Sequence, residues 1–156
     1  MRHITQRFTL RDLRPVSAEH ARRFTLPDFR FLLLRSLQWL DRSEKGLVNF
    51  HLVFLIRLTR FLGFWPNVPD NSQGMVFDMR DGTMVGVRPV HGQYLNEEES
   101  AFLPLLLRMD YATMHLFRFN RQQRARVLDA LLDYYRIHIP EFPELKSLDV
   151  LRTLFS

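Results

Sequence analysis

The sequence predicts a mainly α fold, a compact helical domain with one small β-hairpin insertion. Three observations carry this reading. Residues 46–62 form an apolar run closed by Gly63 and Pro66, where the C′ glycine and following proline of a helix belong. Residues 121–139 repeat apolar side chains at helical spacing, with charged residues between them. The stretch "MVFDMRDGTMVGV", residues 75–87, instead alternates with period two around Asp81-Gly82, a hairpin signal.

Residues 1–26 hold neither period and are expected to form an irregular arm; residues 27–156 are expected to form the helical domain. Pro27 and Asp28 open the first helix, whose inward face is predicted as Phe29, Leu32, Leu33, Leu37 and Leu40. "SEKG" ends it and the apolar helix over 46–62 follows. Its uncharged run extends only from Gly46 to Ile56, well short of the roughly 20 residues a membrane span needs. A helix apolar almost all round belongs in a core. Arg57 and Arg60, three residues apart, then mark the strip of it that reaches solvent or a partner.

The β insertion is expected within about 67–95. Asn96 and Glu99 have the spacing of a capping box, and Pro104 limits or kinks the helix that they open. Asp110 can cap a short helix in "YATMHLF". Asn120 and Gln123 make a second capping box before the clearest amphipathic helix. Its inward face is predicted as Val127, Leu128, Leu131, Leu132 and Tyr135, and its outward face as Gln122, Arg126, Asp129, Asp133 and Arg136. Pro140 and Pro143 stop it, and Ser147 can cap a terminal helix.

Composition narrows the function. The chain has 156 residues, no cysteine and no apolar signal segment in its first 24 residues, which fits a cytoplasmic protein without disulfides. Thiolate zinc sites are excluded. The six histidines show no metalloenzyme spacing, with His51 and His115 predicted as core residues. Nucleophile elbows, P-loops and dinucleotide fingerprints are absent, so neither catalytic residues nor a cofactor are expected. Glu97, Glu98 and Glu99 suit the positive end of a helix better than a metal.

The net charge of +5 is uneven: residues 1–61 hold 12 Arg/Lys against 5 Asp/Glu, and the remainder is slightly acidic. Lys45 and Lys146 are the only lysines, and arginine suits bidentate contacts to phosphate or carboxylate. Phe50, Phe54, Phe61 and Phe64 are predicted to pack in the core, with Trp65 beside a proline turn and open to solvent. In "FRFNRQQRAR", Arg118, Arg121, Arg124 and Arg126 crowd a helix start, where the macrodipole disfavours cations. Together with helix N–H groups they would suit DNA phosphate or an acidic peptide. The competing reading is a solvated face paired with Asp110 or Asp129. Arg118, Arg121, Arg124, Arg57 and Arg60 are the candidate binding residues.

"NFHLVFLIRLTRFLGFWPN", "FDMRDG", "LLRMDYATMHLFRF" and "YYRIHIPEFPELKSLDVLRTLF", in this order, resemble the C-terminal region of the RecO family, in its Bacteroidetes form. The resemblance covers about 29–155. It implies a non-enzymatic mediator of DNA repair and recombination that anneals single-stranded DNA. It also implies partnership with RecR and with single-strand-binding protein (SSB), in loading RecA. The family places an OB-fold ahead of its helical domain, and many members carry a four-cysteine zinc ribbon. Neither is visible here: residues 1–26 are too short for a five-stranded barrel, and the hairpin has no cysteines. The expectations are an interrupted gene, a misplaced start or an expressed fragment, and a hairpin held by packing and turn chemistry alone. A structural remnant without mediator activity is the alternative reading.

Overall fold

A computed structural model describes residues 26–42 and 47–142. The predicted arm, the "SEKG" break and the terminal helix after Ser147 lie outside the described residues. The described elements are helix α1 (Leu26–Arg42), a 3₁₀ turn (Leu47–Asn49) and helix α2 (Phe50–Leu62), followed by strands β1 (Val76–Asp78), β2 (Thr83–Val85) and β3 (Tyr94–Leu95). Helices α3 (Glu97–Ser100) and α4 (Phe102–Arg108), a 3₁₀ turn (Met114–Leu116) and helix α5 (Arg121–His138) complete them. The fold is mainly helical with a small antiparallel sheet.

Helix α2 is the core element, as its composition predicts. Leu52, Val53 and Ile56 are fully buried, each contributing about 1.5–3 kcal/mol by leaving water. Gly63 ends it at φ 87°, and the N–H groups of Gly63 and Phe64 both donate to the Thr59 carbonyl. The first turn of the predicted helix is 3₁₀ instead. There the fully buried Asn49 turns its amide away from helix capping. Its Nδ2 donates to the Met114 and Phe117 carbonyls, at 3.0 and 2.8 Å, fastening the 109–119 segment alongside α2.

Helix α5 packs parallel to α2. Arg124 in its first turns lies beside His51 in the first turn of α2. Towards the other end the Tyr135 hydroxyl donates to Leu55 O and the Tyr134 hydroxyl to Phe64 O. The predicted inward face of α5 is buried, and Tyr134 is buried with it. Phe64, Phe77, Tyr134 and His138 form one aromatic cluster, with Phe64 and His138 stacked 5.0 Å apart.

The hairpin forms where Asp81-Gly82 predicts it, with Asp78 opposite Thr83 and Gly82 at φ 65°. A third strand pairs with the other edge of β1, giving the order β2-β1-β3. β1 is therefore central, and all three of its residues are buried. Ser100, also buried, links this sheet to α3: its hydroxyl accepts from Phe77 N–H and donates to Leu95 O, each at 2.9 Å.

Both predicted capping boxes are formed, Asn96 with Glu99 and Asn120 with Gln123. The first opens only a single turn, because the chain breaks at Ala101 before α4, with Pro104 in the first turn of α4. Asp110 Oδ1 accepts from Thr113 N–H, capping turns that lead into the 3₁₀ segment.

The structure departs from the sequence pattern in three further places. Leu37 and Leu40 of α1 face outward, because α1 docks through Leu32 and the buried Ser36. The Ser36 hydroxyl donates to Leu32 O, so the Tyr111 hydroxyl donates to Ser36. His115 is exposed, since the 3₁₀ turn sends Met114 inward and its neighbour out. The hairpin is held by side chains from elsewhere, as well as by packing and turn chemistry. His91 bonds Asp78 at 3.0 Å, and His138 Nε2 donates to Met79 O at 2.8 Å.

Candidate anion-binding site

The site begins with the capping box of α5. Asn120 Oδ1 accepts from Gln123 N–H, Gln123 Oε1 accepts from Asn120 N–H, and the first intrahelical bond runs from Arg124 N–H to Asn120 O. The N–H groups of Arg121 and Gln122 precede that bond and carry the positive end of the helix dipole. Arg118, Arg121 and Gln122 are exposed around them. Arg124 is half-buried and turns back, its Nη1 donating to Phe119 O.

A second helix start lies beside this one. α2 and α5 are parallel, so their N-termini share one end of the molecule. Burial, and secondarily the charge of Arg124, push the His51 imidazole down to about 4, so it is neutral at pH 7. The start of the α5 dipole and three arginines thus concentrate positive potential here.

The other candidate residues are separate. Arg57 is half-buried, its Nη2 donating at 3.1 Å to the carbonyl of Met109, the residue that follows and caps the C-terminus of α4. Arg60 is exposed and lies over the Trp65 ring, 5.7 Å from its centroid, so the predicted solvent-facing tryptophan is partly covered. His51 and Arg60 are nine positions apart in the helix, about 14 Å along the axis of α2. Arg57 and Arg60 therefore have different neighbours, despite their spacing, and Arg60 lies at the far end of α2 from Arg124.

A solvated basic face would draw on Asp110 or Asp129. Asp110 is instead engaged with Thr113, whose hydrogen bonds outweigh burial and hold its carboxyl below the usual range, with a smaller contribution from Arg57. Arg126 pairs with Glu98 across to α3 at 3.2 Å. Beside this pair lies an apolar cleft between α4 and α5, floored by Phe77, Leu95, Phe102, Leu106, Leu131 and Tyr134. The sequence pattern missed the cleft, because its walls come from segments that read individually as core faces.

Comparison with known proteins decides the family. The family model described as "Recombination protein O C terminal" matches residues 29–149. The chain belongs to the RecO family. This chain corresponds to the C-terminal region of proteins that carry the name DNA repair protein RecO. It is 52% identical over 124 residues to the DNA repair protein RecO of Phocaeicola vulgatus, covering 80% of this chain and 52% of that protein. RecO of Bacteroides fragilis is also 52% identical over 124 residues, 79% of this chain and 51% of the relative. RecO of Porphyromonas gingivalis is 37% identical over 146 residues, 83% and 60% of the two chains. The chain thus spans about half the length of the first two RecO relatives. No solved structure matches it. Among the described residues, no helix is long and apolar enough to cross a membrane.

Proposed function

We propose that the chain is the partner-binding C-terminal part of a RecO-type mediator, and that it grips an anionic partner at the common N-terminal end of α2 and α5. The observation that carries this reading is the exposure of Arg118 and Arg121 around the leading N–H groups of α5. Phosphate oxygens accept from both kinds of donor at once. Arg124 serves chiefly to position the turn through Phe119 O. Single-stranded DNA, RecR and SSB are the partners that family membership suggests, and the work done is binding, without bond-making chemistry.

The cleft favours an acidic protein tail as a second ligand, running from beside the middle of α5 to the arginines at its start. Its apolar floor gives nothing to a phosphate backbone, but would seat an apolar side chain of a peptide whose carboxylates meet the arginines. SSB's tail is the candidate.

The test is the variant Arg118→Gln/Arg121→Gln, which keeps good helix formers. Labelled single-stranded DNA should bind more weakly. The slope of log affinity against log salt should become shallower by about 0.7 for each phosphate that the variant no longer neutralises. Unchanged affinity and slope, for DNA and for an SSB tail peptide alike, would leave a structural module without this activity as the better reading.

A further inference from the structure

The outward face of α1 carries a self-complementary pattern that the anion site does not use. Arg30, Leu34, Leu37 and Asp41 are spaced by four, three and four residues, which places them along a single stripe of the helix. All four are exposed, with Leu34 and Leu37 at 57% and 60%. Phe31 and Leu40 flank the stripe, 64% and 41% exposed. Apolar side chains this open on a helix that already buries Leu32 and Ser36 make a second apolar face.

The stripe reads the same from either end about a point between Arg35 and Ser36. If two copies of α1 meet antiparallel at that point, Leu34 lies opposite Leu37 of the other copy, with the two Phe31 side chains along one side of the seam and the two Leu40 side chains along the other. Arg30 lies opposite Asp41, and a two-fold axis repeats every contact. Parallel pairing would instead set Arg30 against Arg30 and Asp41 against Asp41. We propose that this face is a homodimer interface, in which two copies of the chain pair through antiparallel α1 helices. α1 is about 25 Å long, and one helix face is smaller than the roughly 800 Å² per partner of a standard interface. The dimer should therefore dissociate on dilution.

Sedimentation velocity of the full chain over a range of concentrations tests this, with circular dichroism confirming that each variant stays folded. The expected result is a monomer–dimer equilibrium, abolished by Leu34→Glu/Leu37→Glu. Arg30→Asp or Asp41→Arg alone, each placing like charges opposite one another at both symmetric positions, should weaken dimerisation about tenfold. The double reversal, Arg30→Asp with Asp41→Arg, should restore it to within about threefold. A monomer at every concentration overturns the proposal, whichever other segment covers the face. So does a dimer that ignores the leucine substitutions, or single reversals that the double does not rescue.

Discussion

The Asp78 carboxylate and the His91 imidazole meet at 3.0 Å and close the 86–93 loop onto the central strand. His91 Nδ1 accepts from Gln93 N–H, so Nε2 carries the proton and donates to Asp78. The other carboxylate oxygen accepts from the N–H groups of Arg80 and Asp81 in the hairpin turn. Burial opposes ionisation of Asp78. The His91 bond and the two backbone bonds outweigh that and hold its carboxyl below the usual range. One side chain therefore organises both the turn and the loop.

Asp78→Ala should cost about 2–4 kcal/mol, since it strips an ionised acceptor from three donors. His91→Ala removes only the partly exposed end of the arrangement and should cost about 1 kcal/mol. Urea unfolding of the two variants measures both. Equal losses would show that the loop, and not the turn, depends on Asp78.

Stability should fall as pH drops from about 6.5 towards 4. His51 is held at about 4, and burial also lowers His138 despite its bond to Met79 O. Between those folded values and the ordinary histidine value, the unfolded chain binds more protons, so acid favours unfolding. His51 alone supplies up to about 3 kcal/mol of this dependence. Asp78 and Asp110, both lowered, add losses at more acidic pH. In His51→Leu the slope of unfolding free energy against pH should flatten across this window. An unchanged slope would show that His51 does not titrate differently on folding.

Asn49→Asp should be more damaging than Asn49→Ala. The alanine variant leaves the Met114 and Phe117 carbonyls without their donor, at about 2–3 kcal/mol. Aspartate adds a buried charge pointing at those same oxygens. Thermal melts should order the three proteins wild type, alanine, aspartate. The reverse order of the two variants would mean that the pocket around Asn49 admits water.

Local features were legible in the sequence. Each capping box needs only two residues three apart, and Gly63 needs only a φ that other residues avoid. What escaped depends on distant segments. Strand β3 is two residues long, too short to show alternation. The Asp78–His91 pair spans 13 positions with nothing regular between them. Leu37 and Leu40 look like core residues on any helical wheel, and only the docking of Ser36 against Tyr111 turns them outward. For the site, charge was visible but geometry was not. Arg57 and Arg60 share a helix, yet one reaches the end of α4 and the other Trp65.

Ser100 gives the molecule a shared clock. Its hydroxyl accepts from the central strand and donates to the edge strand, so it stands in for a missing rung between β1 and β3. The Phe77 amide can exchange with solvent deuterium only when that hydroxyl lets go, which requires the single turn of α3 to open. A four-residue helix has almost no stability of its own. Its opening, and that of the sheet edge, should therefore register as one event with one protection factor, slower than so short a helix would show in isolation.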